Sequence, residues 1–386
     1  MPSRDRCSVL VVGGAGAFGA RVAELLARDT AVDLVLAGRR LAPLDAQAAS
    51  LAAATGRPVR GVALDANRAD ARDIAELGVQ IVINASGPFQ TGSYALAEAA
   101  IGASCHYIDL ADARVFVTGF RQLDSAARAA GVLAVSGASS VPGLSSAVVS
   151  RYASDFGRID AIDIAISPGN AFDPGVATVS SVLGGVGQPI RTLDGGAWTT
   201  VHGWQGLRRG SFGKAGRRWL GYVDVPDLEL LPDHVAGVRR VRFQAGLEVS
   251  FFHLGLWAAS WIVRAALVRS LAPLAPTLLA VKRRLSRLGS DRGGMVVELS
   301  GPGHDGAPKT LTWLLEALSG HGPYVPTLTA VALARRLASG AETRTGAHAC
   351  QGIVPLADIL AEAEGLSITA TSHEKPSPPG APEGEG

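Results

Sequence analysis

Short apolar runs alternate with amphipathic stretches over the first third of the chain. The apolar runs predict six strands, at residues 9–12, 32–37, 59–64, 80–84, 105–110 and 132–136. Helical spacing predicts five helices between them, at residues 17–28, 41–55, 69–77, 92–102 and 112–130. Because strand and helix alternate with short connections, the pattern predicts an α/β domain with a doubly wound parallel sheet. Such a sheet binds its ligands at the carboxyl ends of the strands.

The pattern changes after residue 144. A helix to about residue 154 precedes a strand at 159–167, and the following strand-like pieces are separated by turn signals such as Asp194-Gly195-Gly196. Residues 295–300 and 310–315 form a further candidate pair across a loop rich in Gly and Pro. We therefore expect a dinucleotide-binding domain at 1–145 and a mixed α+β substrate domain at 146–325. Residues 372–386 are rich in Pro, Gly, Glu and Ser, which predicts a disordered tail.

A glycine cluster directly follows the first apolar run, and it reads Gly13-Gly14-Ala15-Gly16-Ala17-Phe18-Gly19. Three of its glycines fit GxGxxG, a pattern that permits a tight turn, a close approach of backbone amides to a pyrophosphate and close packing of the helix on the strand. The helix that follows points its positive end at that phosphate. A purely structural turn is the alternative interpretation. The expected cofactor contacts are Gly13, Gly14, Gly16, Ala17, Phe18 and Gly19.

The end of the second strand distinguishes the two nicotinamide cofactors. An acidic residue there would bond the ribose 2′-hydroxyl of NAD, whereas this chain has Arg39 and Arg40. Two guanidinium groups suit a bidentate interaction with the 2′-phosphate of NADP. The nearest acid, Asp33, lies at the start of the strand, on the wrong edge for the ribose. We therefore expect NADP to be preferred, with NAD as the alternative; the competing interpretation is that the arginines simply begin a solvated helix.

Polar residues also follow later strands. Asp65 ends the third strand, where its carboxylate would accept from the adenine amino group or cap a helix. The fourth strand opens onto the turn Ala85-Ser86-Gly87-Pro88, which we expect beneath the adenosine ribose and nicotinamide. An ordinary strand-to-helix turn is the alternative for this segment.

Reduction of a carbonyl or imine needs a proton donor beside the nicotinamide. A short-chain dehydrogenase would use a tyrosine with a lysine four positions later. The residues at that spacing exclude this mechanism: Tyr94, Tyr107, Tyr152, Tyr222 and Tyr324 are followed by Glu98, Ala111, Phe156, Pro226 and Leu328. Tyr107 and Asp109 share one face at the end of the fifth strand and are the catalytic candidates. A structural tyrosine and a helix-capping aspartate are the alternatives; His202 and His253 are weaker candidates from the second domain.

Composition excludes several other classes of function. The chain has 386 residues and a formal net charge of +2, so it lacks the basic surface that nucleic acids require. Its three cysteines are widely separated, which predicts neither a metal site nor a disulfide framework. The amino terminus lacks the long apolar segment of a secretion signal, so we expect a cytoplasmic protein.

An apolar segment at residues 251–263 stands out in the second domain, followed by repeated leucines and arginines to residue 287. Thirteen residues are too few to span a bilayer, which takes about 20. The segment is therefore interpreted as buried core, as the lining of a substrate or partner contact, or as a helix on a membrane surface.

Several motifs together resemble the saccharopine dehydrogenase-like oxidoreductases. Besides the glycine loop, the resemblance rests on Ala37-Gly38-Arg39, Asn84-Ala85-Ser86-Gly87-Pro88-Phe89, His106-Tyr107-Ile108-Asp109-Leu110 and Val141-Pro142-Gly143-Leu144-Ser145. It covers residues 9–150 well, and beyond them only the general layout agrees. The resemblance implies a Rossmann domain that binds NAD(P), an α+β domain with much of the substrate pocket, and carboxy-terminal elements at 326–371 that pack on the first domain.

Together these observations predict an NADP-preferring oxidoreductase that transfers hydride to a C=O, C=N or activated C=C bond. The apolar segment favours an apolar or lipid-like small molecule over an amino diacid. A nucleotide-binding or sensing module without turnover is the alternative function. Peripheral contact with a membrane and a homodimer are the remaining hypotheses about partners.

Overall fold

The protein is described by a computed structural model that covers residues 6–376. The chain divides into two compact units. Unit 1 extends to Leu144 and also includes Pro323–Glu364, whereas unit 2 comprises Ser145–Gly322 and resumes at Gly365. Each unit is therefore assembled from two separate parts of the chain.

Strands and helices alternate through unit 1 and are arranged less regularly in unit 2. The strands are β1 (Cys7–Val12), β2 (Val32–Gly38), β3 (Val59–Ala63), β4 (Ile81–Asn84), β5 (His106–Asp109), β6 (Leu133–Ser136), β7 (Ala161–Ser167), β8 (Pro189–Asp194), β9 (Ala197–His202), β10 (Arg208–Ser211), β11 (Arg217–Tyr222), β12 (Arg240–Ala245), β13 (Gly293–Pro302), β14 (Pro308–Ala317), β15 (Gly346–Ala349) and β16 (Ile368–Pro376). The helices are α1 (Gly19–Ala27), α2 (Leu41–Thr55), α3 (Ala71–Glu76), α4 (Ala95–Gly102), α5 (Arg114–Gly119), α6 (Asp124–Ala129), α7 (Ser145–Tyr152), α8 (Gly175–Gly184), α9 (Asp227–His234), α10 (Ser250–Arg264), α11 (Ala275–Arg284), α12 (Val325–Ala338) and α13 (Leu356–Ala361).

Unit 1 contains a seven-stranded sheet in the order β15-β6-β5-β4-β1-β2-β3. All neighbouring strands are parallel. Val9, Leu10 and Val11 of the central strand are fully buried, as expected when both faces of a parallel sheet are covered. The predicted doubly wound parallel sheet is confirmed. Its seventh strand, β15, comes from the carboxy-terminal third of the chain and pairs with β6.

The helix predicted at 112–130 is wrong as a single element. The structure has α5 and α6 there, separated by a 3-10 turn at Phe120–Leu123. The Tyr94 hydroxyl donates to the carbonyl of Phe116 at 2.7 Å, which is the acceptor that an α-helix would offer to the amide of Phe120. That amide bonds the carbonyl of Val117 instead. A tertiary hydrogen bond therefore accompanies the change from α-helical to 3-10 geometry.

Two segments of the carboxy-terminal third belong to different units. Arg335 in α12 donates to Asp29 at 2.9 Å and to the carbonyl of Leu25 at 3.0 Å, both within unit 1. After Glu364 the chain returns to unit 2, although we expected all of 326–371 to pack on the first domain.

Unit 2 contains a mixed sheet with the path β10-β11-β12-β7-β13-β14-β16, to which β8 and β9 attach beside β12. Its pairs are antiparallel apart from β12 with β7, which confirms the predicted mixed α+β second domain. The expected hairpin joins β8 to β9, with Gly195 and Gly196 both at positive φ in the turn. The other predicted pair is β13 with β14, in which Met295 faces Leu315.

The last strand, β16, includes the first residues of the predicted disordered tail. β16 pairs with β14 along its whole length, with Ser372 opposite Trp313. Residues 372–376 thus belong to a strand, because backbone pairing with β14 does not depend on the polar composition that suggested disorder. The remainder of the predicted tail, residues 377–386, lies outside the described residues.

Candidate active site

The glycine loop connects β1 to α1 through a turn that lacks room for side chains. Gly13 has a φ of +81° and donates to the carbonyl of Ala37 at 2.8 Å. Its own carbonyl accepts from Gly16 at 2.8 Å. A Cβ on Gly19 would lie 2.1 Å from that carbonyl oxygen, so glycine is required where the helix begins. The loop thus holds α1 directly against the end of β1.

The outer side of this loop presents backbone amides. Ala15 and Gly16 are exposed. Within residues 6–376 the amides of Ala15 and Ala17 donate to no protein acceptor. Phe18 is the last residue before α1. Amides at a helix amino terminus suit a pyrophosphate group, and the amides of Ala15 and Ala17 are donors of this kind.

The end of β2 carries the two arginines. Arg39 and Arg40 are exposed, and neither makes a hydrogen bond or ion pair with another part of the chain between residues 6 and 376. Asp33 lies at the opposite end of β2, in register with Ser8, and pairs with Arg6 at 3.3 Å. Among residues 6–376 no acid pairs with the two guanidinium groups, which fits an adenosine ribose that carries a 2′-phosphate.

Asp65 follows β3 beside the arginine-bearing end of β2. The amide of Leu64 donates to the carbonyl of Gly38 at 3.0 Å, which joins the two strand ends. The Asp65 carboxylate accepts from the amide of Asn67 at 3.1 Å. The side chain therefore stabilises its own turn, and its role toward adenine stays a prediction.

The turn after β4 is held at both ends and exposed in the middle. Asn84 accepts from the amide of Ser86 at 3.0 Å and from its hydroxyl at 2.6 Å. Phe89 is buried against Phe116, with ring centroids 5.4 Å apart. Between these anchors, Gly87 and Pro88 are exposed.

The glycine loop and the turn after β4 lie in contact. A Cβ on Gly13 would come within 3.0 Å of the carbonyl oxygen of Ala85. The structure thus brings together two of the predicted cofactor-binding segments at the carboxyl edge of the sheet.

Tyr107 and Asp109 share one face of β5, as the alternation of a strand predicts, but both are buried. Their relative exposures are 1% and 0%. The Tyr107 hydroxyl accepts from the side-chain amide of Asn84 at 3.0 Å. Burial raises the pKa of Tyr107 well above its ordinary value, and the charge of Asp109 adds to this effect.

The Asp109 carboxylate connects the ends of β5 and β6. One oxygen accepts from the amides of Ala111 and Gly137 at 3.0 and 2.8 Å and from the Ser136 hydroxyl at 2.9 Å. Its other oxygen has no hydrogen-bond partner among the described residues. Burial raises the pKa of Asp109 to about 6, against the lowering effect of these three donors and of the nearby Tyr107 hydroxyl. The arrangement supports a positioning function, and a catalytic function for Tyr107 or Asp109 stays a prediction.

Comparison with known families bears directly on this edge of the sheet. Residues 9–135 match the sequence model described as the saccharopine dehydrogenase NADP binding domain. The first domain is a saccharopine dehydrogenase-type NADP-binding domain. NADP is therefore the cofactor of this domain type, as the arginines after β2 predict. A search of curated proteins finds no match.

One solved structure supports the fold beyond the NADP-binding domain. The apo saccharopine dehydrogenase (L-Glu forming) from Saccharomyces cerevisiae aligns with a TM-score of 0.70 and 14% identity, covering 95% of this chain and 100% of that chain. A short-chain dehydrogenase from Sphingobium yanoikuyae in complex with NADPH aligns with a TM-score of 0.26 and 21% identity, covering 34% of this chain and 71% of that chain. The saccharopine dehydrogenase-like fold and the NADP-binding domain indicate an oxidoreductase.

The NADP-binding domain also has a polar pair that sequence reasoning missed. The side-chain amide of Gln90, after β4, donates to Asp112, after β5, at 3.2 Å, and both residues are exposed. Asp112 was interpreted as the first residue of a helix, although α5 begins at Arg114. Asp112 comes two residues after the predicted strand, which ends at Leu110. That position, where the chain leaves a buried strand, is the signal that could have identified it.

The two histidines considered as contributors lie in unit 2. His253 is fully buried, with its ring centroid 5.4 Å from that of Trp204. Burial lowers its pKa to about 4, so the imidazole is neutral near pH 7. This environment is that of a core histidine. His202 is half-buried at the end of β9, and burial lowers its pKa as well.

Proposed function

We propose that the protein is an NADPH-dependent reductase whose substrate is an uncharged, apolar small molecule with a C=O, C=N or activated C=C bond. The observation that carries the cofactor preference is the pair Arg39 and Arg40, exposed and without protein partners in residues 6–376, at the end of β2. When bound, the nicotinamide supplies the hydride. The glycine loop would hold the pyrophosphate, and the turn at 85–88 would support the nicotinamide half.

Charge is distributed unevenly along the carboxyl edge of the NADP-binding domain. Basic residues follow β2, but the loops after β4, β5 and β6 contain no Lys, Arg or His at 85–94, 110–113 and 137–144. A substrate carboxylate at this end of the edge would have no cationic partner from these loops, and desolvation of an unpaired carboxylate is costly. This absence supports a substrate without carboxylate groups.

Asp112 is the group we assign to proton transfer. It is the one carboxylic acid within the three loops, and it is exposed beside Gln90. The surrounding protein displaces water and raises the pKa of its carboxyl above the ordinary value, even though the residue keeps accessible surface. A raised pKa increases the protonated fraction that donates to substrate. Tyr107 and Asp109, which are buried in β5, would position the loop that follows this strand and contains Asp112.

Calorimetric titration with NADPH and NADH tests the cofactor assignment. Arg39→Ala is expected to weaken NADPH binding by about 10-fold or more while NADH binding stays unchanged, because one charge-assisted interaction with the 2′-phosphate is lost. Arg121→Ala is the matched control, since Arg121 is also exposed but lies in the connection from β5 to β6. Equal losses for both nucleotides would contradict the assignment.

The substrate class is tested by following NADPH oxidation with pairs of apolar ketones or enoyl compounds that differ in a single carboxylate. The uncharged member of each pair is expected to give the higher kcat/KM. Preference for the carboxylates would refute the proposed substrate class. Tight NADPH binding without turnover of any compound would instead support a nucleotide-binding module.

A further inference from the structure

One helix of unit 2 has an apolar outward face. In α10, exposed residues recur at 251, 254, 255, 258, 261 and 262, which is the spacing of a single helical stripe. Phe251 is 77% exposed, and Leu254, Trp261 and Ile262 are exposed beside it. Leu267, just after the helix, is also 77% exposed. The segment at 251–263 is therefore largely a surface element, and the interpretation as buried core is wrong for its outer stripe.

The opposite sides of α10 and of the next helix, α11, are held by unit 2. His253, Ser260 and Val263 are buried on the inner side of α10. In α11, Ala275 packs in a cluster with Leu183 and other buried residues. In and beside α11, four further apolar residues are exposed: Leu274, Leu278, Val281 and Leu288. We call the exposed apolar residues of this segment the α10–α11 face.

The chain around this face is strongly basic. Residues 250–290 contain no Asp or Glu, and their basic residues are Arg264, Arg269, Lys282, Arg283, Arg284 and Arg287. Some of these have internal partners, such as Arg283, which pairs with Asp173 at 2.8 Å. Arg269, Arg284 and Arg287 are exposed and form no ion pair within the described part of the chain. Cationic groups therefore accompany the apolar stripe in the sequence, and the segment has no acidic residue that could neutralise them.

We propose that the α10–α11 face binds the surface of an anionic phospholipid bilayer. The stripe supplies apolar side chains to the acyl boundary, and unpaired arginines meet the phosphate groups above it. Trp261 stacks against Arg264, whose guanidinium carbon lies 5.1 Å from the ring centroid, a pairing suited to the interface where tryptophan is enriched. Charge favours a lipid surface, because a second copy would place like charges against each other. No helix within residues 6–376 is long and apolar enough to cross the bilayer.

The experiment is co-sedimentation of the full chain with vesicles, and it is independent of the reductase assignment because it needs neither cofactor nor substrate. Vesicles of phosphatidylcholine with phosphatidylglycerol are compared with vesicles of phosphatidylcholine alone, at low and high salt. We expect binding to the anionic vesicles that weakens at high salt. The variant Phe251→Ser/Leu267→Ser should reduce partitioning at least tenfold, and Arg284→Gln/Arg287→Gln should reduce the preference for anionic vesicles.

Val115→Ser is the matched control, since Val115 is 82% exposed but lies in unit 1. It should partition like wild type, and thermal melting should show that every variant is folded. Failure of the folded wild-type protein to sediment with anionic vesicles would overturn the proposal. The proposal would also be overturned if the Phe251→Ser/Leu267→Ser variant partitioned onto anionic vesicles as well as the wild type does. A wild-type dimer in light scattering that this variant dissociates would assign the face to a second copy of the chain instead.

Discussion

Gly19→Ala is the substitution that tests the geometry of the glycine loop most directly. The new Cβ would lie 2.1 Å from the carbonyl oxygen of Gly13 and 2.7 Å from its carbon. Relief of this overlap requires the backbone to move by about 1 Å. The moving atoms belong to the turn that Gly16 and Ala37 fix by hydrogen bonds of 2.8 Å to Gly13.

The expected losses follow from these contacts. Overpacking of this kind costs about 1–3 kcal/mol of folding free energy. Displacement of one backbone amide from the pyrophosphate removes a hydrogen bond to a charged group, worth about 1.5–3 kcal/mol. The second figure corresponds to roughly 10- to 150-fold weaker NADPH binding. Calorimetric titration with NADPH measures the binding loss, and denaturant unfolding measures the stability loss.

Gly255→Ala is the matched control, because Gly255 is also helical but a Cβ there would meet no atom within 4 Å. This variant should bind NADPH like wild type and gain about 0.5–1 kcal/mol of stability from the better helix former. A Gly19→Ala protein with wild-type NADPH affinity would refute the proposed fit between this loop and the pyrophosphate.

Three further predictions concern titratable and charged groups. Burial raises the pKa of Asp227 from 3.8 to about 7, so the protonated form is favoured in the folded state. The free energy of unfolding should therefore fall as the pH rises from 4 to 7, on the order of 4 kcal/mol in total. In urea unfolding, Asp227→Asn should flatten this pH dependence. Glu248→Ala removes the partner of the buried Arg218, 3.0 Å away, and should lower the free energy of unfolding by about 3–5 kcal/mol; a loss below 1 kcal/mol would contradict the argument. Asp112→Asn should lower kcat about 100-fold in steady-state assays with unchanged NADPH affinity, whereas unchanged kcat would remove Asp112 from proton transfer.

The local part of the fold was predictable from sequence. The glycine loop requires small residues at fixed spacing, and the helix predicted at 41–55 has the bounds that the structure shows for α2. Both depend on contacts between residues near each other in the chain. The placement of Arg39 and Arg40 likewise follows from where β2 ends.

The missed features depend on distant contacts. The break after α5 accompanies the hydrogen bond from the Tyr94 hydroxyl to Phe116, which local helical spacing does not encode. Polar composition predicts a tail from residue 372, but residues 372–376 form part of β16 because β14 provides their backbone hydrogen-bond partners. The shared face of Tyr107 and Asp109 followed from strand alternation, but their burial depends on three-dimensional packing around them.

The division of the chain has a consequence for its synthesis. β15 reaches the first sheet only after the chain has been translated to residue 349, and β16 reaches the second sheet later still. A nascent chain that stops after β14 therefore leaves β6 and β14 as open edges, which are templates for aggregation. Expression of either half alone would produce an incomplete sheet, so fragments for biophysical work should join the separated segments with a designed linker.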